Sequence, residues 1–386
     1  MRIFVTFFAL LVLLMIFMFV NNPLKDVNFN DMSFVPSPKF EDESSAHNFT
    51  LSLDNSLNSA HSSSLAHTKK GLMVVFFAGS REGATDVAIY RSFLSDEQSL
   101  KKPEKILDAK MLSEFSNKFI KKLGNPVIFT DLNSKTHLFV VGVSLGGWST
   151  SKIYHLVFDE NLQKLSFVRE LKLGLFANFS HLVRNHPISL QEPNSGTNKG
   201  FILPIYHEFA RKFPLLAYFD ESGNFIYAKK INELKNQLQP SISALNEKEI
   251  LLSFRSFNSY DNDIFLQKCD TKLTCDEPLR TKLKNYDNSN LLFSFYNSNN
   301  ELRSFLIQNK SDDEKSRRKE LALYYLNGSD FCELYVIDKG NEVSYPSIAI
   351  DDNSLYLSYT YNRKNIKVDV KTLAFIENMI KDKKCF

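Results

Sequence analysis

Four arginines stand in or beside short runs of strand-forming residues: Arg81, Arg184, Arg255 and Arg363. Their planar forks suit two-point capture of a carboxylate, although any one of them also fits a solvated strand edge. Carboxylates lie nearby. Glu82 and Asp86 follow Arg81 in a turn leading into a strand. One could orient the arginine and the other donate a proton, while Asp86 could equally cap the turn's amides. Tyr206, His207 and Glu208 end the apolar run 201–205, where a His–Glu pair could do general acid–base work. Neighbours on a strand point to opposite faces, so only one of His207 and Glu208 can face a pocket. Tyr345 precedes Pro346, which predicts an extended residue at a strand start, and Glu342 could serve it as a base. Tyr359 is a second candidate, though with 15 Tyr a core or surface role is the default for any one.

Distant residues can act together only if a fold gathers them. Runs rich in Val, Ile, Phe, Tyr and Leu recur between turns at 72–77, 86–93, 137–143, 152–158, 215–219, 249–254, 290–295 and 354–361. This is an all-β pattern, and 34 Phe against one Trp agrees with it. In 106–123, Leu107, Met111, Phe115 and Phe119 recur at helical spacing, which predicts one inserted helix. Turn-like segments centred on Asp96, Asp159, Asp220, Asp270 and Asn327 are 63, 61, 50 and 57 residues apart. About four strands per such period is the arithmetic of a β-propeller, here of six blades; a pair of β-sandwiches is the alternative.

Residues 3–20 form an apolar run broken only by Thr6, just long enough for a membrane span. It ends without the small residues of a cleavage site, and Arg2 before it is matched by Lys25 after it. The expected organisation is a signal anchor or signal peptide over 1–22, a tether over 23–58 and a propeller over 59–386. The chain should be exported: anchored in an inner membrane facing the periplasm, or secreted if the segment is cleaved. In an oxidising compartment Cys269 could pair with Cys275, and Cys332 with Cys385; free buried thiols are the alternative. A net charge of +3 leaves no electrostatic footprint for nucleic acid. No metal cluster or phosphate loop stands out, so no metal or cofactor is expected. Gly142-Val143-Ser144-Leu145-Gly146 lacks the strand–turn–helix context of a nucleophile elbow, and the run 312–319 reads as a solvated charged loop. A monomer is expected.

Longer motifs carry a family resemblance. Ala60-His61-Ser62-Ser63-Ser64-Leu65 and Phe76-Phe77-Ala78-Gly79-Ser80-Arg81-Glu82-Gly83-Ala84-Thr85-Asp86 open the series. Gly124-Asn125-Pro126, Gly146-Gly147-Trp148-Ser149, Leu182-Val183-Arg184-Asn185 and Leu203-Pro204-Ile205-Tyr206-His207-Glu208 follow. Leu238-Gln239-Pro240-Ser241, Phe254-Arg255-Ser256, Ser344-Tyr345-Pro346-Ser347 and Tyr359-Thr360-Tyr361-Asn362-Arg363 close it. In this order they resemble the bacterial BNR-repeat family of predicted neuraminidases, within the sialidase superfamily. The Asp turns look like Asp-boxes without their tryptophan.

The resemblance implies a sialidase-like propeller and an exo-acting glycoside hydrolase that removes a terminal acidic sugar. Arg81, Arg255 and Arg363 would hold the sugar carboxylate, and Arg184 would be a further substrate contact. Asp86, Glu208 or Glu82 would supply the proton. Tyr345 would be the nucleophile, because a charged one would face the substrate's own carboxylate. His61, Asn185, His207, Gln239, Asn309 and Tyr359 would contact the sugar. Two departures matter. The Phe-Arg-Ile-Pro motif that carries the first carboxylate-binding arginine is absent, with His61 near its place, and the fifth blade reads Asn285-Tyr286-Asp287-Asn288-Ser289. The alternative is therefore a non-catalytic propeller of the cell envelope that binds carbohydrate or protein.

Overall fold

A computed structural model describes residues 2–20, 27–40, 48–53, 57–95, 98–174, 178–351 and 353–385. The strand runs form six antiparallel sheets. Blade 1 consists of Ser59–Thr68, Gly71–Gly79, Ala88–Phe93 and Glu104–Leu107. Blades 2 to 5 follow in chain order over 122–170, 181–230, 237–284 and 291–339. Blade 6 takes its inner three strands from 343–372 and its outermost, Phe49–Ser52, from near the N-terminus. The ring is thus closed by joining the two ends of the chain. First strands of successive blades contact one another from blade 6 through blades 1 to 5, and blade 5 meets blade 6 through its second strand, so the six sheets close into a β-propeller.

The repeat frame lies in the turns. Asp159, Asp220 and Asp270 each join the third and fourth strands of a blade, and each side chain accepts from the amide four residues on. Asn327 occupies the same turn in blade 5, and Asp96 lies outside the described residues. With no tryptophan in these turns, phenylalanine fills the blade interfaces. Phe139, Phe201 and Phe219 pack together between blades 2 and 3, the last two stacked at 4.6 Å. Burying each such ring contributes about 1.5–3 kcal/mol.

Inner strands of a propeller diverge, which would strand their edge amides. Serine hydroxyls satisfy three of them across blade boundaries: Ser64 accepts from Ile128 N (3.1 Å), Ser241 from Leu292 N (2.8 Å) and Ser347 from Leu65 N (3.1 Å).

The expected helix is much shorter than 106–123. Helix α2 is Ala109–Ser116, because Asp108 caps its start and left-handed Asn117 ends it. Leu107 lies in a strand instead, and Phe119 is 63% exposed. A helix not expected from the sequence, α3 (Leu373–Asp382), is capped by Thr372 and packs its Leu373, Ile376 and Ile380 beside blades 5 and 6. Cys269–Cys275 and Cys332–Cys385 are both disulfide-bonded, the latter pinning the segment after α3 to blade 5.

Helix α1 spans Arg2–Val20. Side chains 4–14 are described within it, and they face outward. Among the described residues no helix is long and apolar enough to cross a membrane. Much of the expected tether packs on the propeller. Ser33–Phe34 pairs with the inner strand of blade 3, Ser37 donates to Ala244 O in blade 4, and Tyr296 N in blade 5 donates to Pro38 O. These contacts lie where inner strands end. Residues 33–40 therefore run across the base of the channel and leave the opposite mouth, where inner strands begin, to the candidate residues.

Candidate functional site

The inner strands slip register as they leave the mouth. The slips fall between His61 and Ser64, Leu238 and Ser241, and Ser344 and Ser347. The residue after each slip begins is left-handed: Ser62 (φ 53°), Gln239 (φ 46°) and Tyr345 (φ 57°). Tyr345 is thus not the extended residue that Pro346 alone predicts. Such a backbone costs about 1–3 kcal/mol and persists only where its surroundings impose it. In blade 3 the break is longer, and residues 184–187 leave the pairing between His181–Val183 and Ile188–Gln191. That break sends Arg184 across the channel.

Tyr345 sits at the centre of the site. The Arg184 guanidinium lies 5.2 Å from its ring centre, that of Arg318 lies 5.4 Å away, and the His61 ring meets it edge-on at 4.5 Å. Arg184 is buried and donates to Ser63 O (3.2 Å) and Pro346 O (2.9 Å). Among the described residues no carboxylate pairs with it. Burial pulls its pKa down to about 10, so it stays charged at neutral pH. Arg255 pairs with Asp287 at 2.7 Å, and Arg317 approaches the same carboxylate at 3.4 Å. Burial opposes the charge on Arg255, but nearby Tyr345 and Asp287 outweigh it and raise its pKa.

Glu342 gathers the blade-6 side. It accepts from Arg363 and Ser344, pairs with Arg318 at 3.2 Å, and has His61 Nε2 at 3.8 Å. Arg363 also reaches Glu82. Burial would raise the Glu342 pKa, yet these partners leave it lowered. Burial takes His61 down to about 4, so at neutral pH it is an uncharged ring, and the arginines and Ser344 hold Glu342. Neither nitrogen of His61 has a hydrogen-bond partner within the described protein.

Glu208 follows the strand that carries Tyr206. Burial raises its pKa, while Arg255 and Lys212 pull the other way. His207 points to the opposite face, stacked on Phe213 at 4.8 Å. Of the two, Glu208 shares the mouth's electrostatics. Gln239 donates to the Tyr206 hydroxyl at 3.3 Å, and Asn185 donates to Gln239 O and Pro240 O. Oε1 of Gln239 and Oδ1 of Asn185 have no partner within the described protein.

Other candidates stand apart. Arg81 is exposed and makes no ion pair among the described residues. Asp86 accepts from the amide and hydroxyl of Ser80, both at 2.9 Å, and so caps its turn. Asn309 ties blade 5 to blade 6 by donating to Val343 O. Tyr359 is buried between those blades, its hydroxyl on Asp338 at 2.9 Å. Arg318 is the residue that sequence reasoning missed. It lies in the charged run 312–319, yet its side chain is only 14% exposed. The available signal was position: that run joins the second and third strands of blade 5, as 80–87 does in blade 1, and such loops open at the mouth.

The six blades and the mouth define a class, and sequence places the chain within it. Residues 70–357 match the BNR repeat-like domain, and the chain belongs to that family. No curated protein sequence matches it. Among solved structures it is similar to the Hadza microbial sialidase Hz136, with a TM-score of 0.63 at 12% identity over 82% of this chain and 66% of that one. Trypanosoma rangeli sialidase gives a TM-score of 0.56 at 12% identity over 92% and 61%. Penicillium chrysogenum α-L-arabinanase gives 0.60 at 10% identity over 86% and 98%. These likenesses show a shared fold. The chain covers about two thirds or less of the length of the two sialidases.

Proposed function

We propose that the mouth binds a terminal acidic sugar by its carboxylate and hydrolyses the glycosidic bond. The observation that carries this is Tyr345, set between the guanidiniums of Arg184 and Arg318 beside Arg255. Glu342, Glu82 and Asp287 partner the other arginines, but among the described residues no carboxylate pairs with Arg184, which leaves one uncompensated cation beside Tyr345. A planar carboxylate is the ligand such forks suit. Tyr345 is the nucleophile of this reading: its hydroxyl oxygen bonds the sugar as the leaving group departs, and its proton passes to Glu342, the base that the sequence sets three residues before it. Glu208 is the proton donor, because burial favours its protonated form.

The test is turnover of an aryl sialoside by the full chain. Tyr345→Phe should abolish it. Glu208→Gln should lower kcat by about 10²–10⁴-fold and remove the alkaline limb of the pH profile, where the donor would lose its proton. Full turnover in the Tyr345→Phe variant would end the nucleophile assignment. The second reading, a binding module, is favoured by His61, an uncharged ring near the place of the family's first arginine. Tight binding of sialic acid without turnover in a folded protein would select it.

We also propose that the apolar sequence 3–20 anchors the chain in a membrane, with the propeller on the oxidising side. The apolar sequence 3–20 supports the anchor, and the two disulfides support the compartment.

A further inference from the structure

The chain's one tryptophan, Trp148, is not among the residues gathered around Tyr345. It lies in the loop joining the second and third strands of blade 2, among the loops that open at the mouth. In blades 1, 4 and 6 the slipped inner strand places Ser62, Gln239 and Tyr345 there. Blade 2 slips at the same point, between Leu123 and Pro126, but the corresponding residue is Gly124. A Cβ on Gly124 would stand 2.7 Å from Trp148 Cη2 and 2.8 Å from Cζ3. The indole therefore lies against the Gly124 backbone and fills the space that a side chain there would take. Gly146 and Gly147, left-handed at φ 85° and 74°, make the reversal that lays it down.

Trp148 is nevertheless 37% exposed, so the ring is not core. It presents an open aromatic face at the rim of a polar, cationic cleft. Aromatic walls of this kind receive the apolar face of a ligand while nearby polar groups orient it. We propose that Trp148 is the platform for a second sugar ring, the one to which the terminal acidic sugar is joined. The ligand is then an oligosaccharide rather than a lone acidic sugar. This rests on the reading of the mouth given above, which supplies the ring before it.

A single tryptophan makes the test site-specific, because emission reports this ring alone. The full-length Tyr345→Phe chain, which on the reading above binds without turnover, is titrated with sialic acid, with sialyllactose and with neutral lactose. Sialyllactose should change the emission and bind about tenfold tighter than sialic acid, the range of one aromatic contact. Trp148→Ala, followed calorimetrically, should erase that advantage while leaving sialic acid affinity unchanged. Gly124→Ala should do the same with the indole still present, by displacing it, and Trp148→Phe should restore most of it. Equal affinity for the two acidic ligands, or an unaltered advantage in Trp148→Ala, overturns the platform and leaves the carboxylate mouth standing. Quenching by lactose with no binding of either acidic ligand overturns the acidic-sugar reading instead. No response to any of the three overturns both.

Discussion

Arg184 carries its charge on two backbone carbonyls in place of a carboxylate. A buried cation held this way lacks a counter-charge, and an anionic ligand is what it can still gain. Arg184→Met should therefore lower sialic acid affinity by about ten- to a hundredfold, the worth of one charged hydrogen bond. Calorimetric titration checks it, and unchanged affinity would remove Arg184 from the site. A second prediction concerns protons. Burial lowers His61 and His186 to about 4, so both fold as neutral rings. The unfolded chain binds protons near pH 6.5 and the folded chain does not. Stability is thus fully present above that pH and is lost as pH falls toward 4, by about 3 kcal/mol for each ring at most. His61→Gln, uncharged throughout, should reduce the slope of the urea midpoint between pH 6.5 and 4 while His186 keeps its share, and an unchanged slope would refute this. Arginine and tyrosine candidates at strand ends were legible in the sequence because their motifs fix their place on a blade. Arg318 was not: its burial comes from a long loop folding over the mouth, and a run of mixed charge reads as solvated.

Between residue and molecule stand the inner strands, each meeting its neighbour at a diverging edge. Ser64, Ser241 and Ser347 accept the amides that this divergence would strand. Ser241→Ala leaves Leu292 N buried without that acceptor and should cost about 1–3 kcal/mol. The expected result is a lower midpoint in thermal unfolding with the same cooperativity; an unshifted midpoint would show that the hydroxyl does not tie the blades. The same serines follow the register slips that aim Gln239 and Tyr345 into the mouth. Loss of Ser241 should therefore weaken ligand binding as well as stability. Strands were largely readable because alternating burial and apolar runs mark them directly. Helix α2 was overextended because Leu107 and Phe119 continue a helical spacing that Asp108 and Asn117 interrupt. Spacing alone does not carry that information, whereas cap residues do. Helix α3 escaped notice for a related reason: its apolar face matters only once blades 5 and 6 supply the surface beneath it.

A propeller has no end cap, so its stability depends on closing the ring. Here closure uses chain that composition marks as a tether. Phe49–Ser52 completes blade 6, and residues 33–40 span the base from blade 3 to blade 5. The stretch is polar on average, rich in Ser, Asn and Asp, which is why it reads as linker. Three of its large apolar residues are nonetheless buried: Phe34 at 0%, Phe40 at 3% and Leu53 at 1% exposure. Phe34 packs in the core between blades 3 and 4, and Phe40 in the core of blades 5 and 6. Two shortened chains separate a tether from a clasp. A chain beginning at residue 27 keeps every one of these contacts and should unfold at the same urea midpoint as the full chain. A chain beginning at residue 54 loses the outer strand and both phenylalanines. Each buried Phe is worth about 3–5 kcal/mol on truncation to alanine, a large share of a domain's total stability of about 5–15 kcal/mol. The second chain should therefore unfold at a much lower midpoint or fail to fold. Phe34→Ala in the full chain isolates the strap from the strand and should cost about 3–5 kcal/mol alone. Equal midpoints for both shortened chains would mean that the ring closes without its N-terminal clasp.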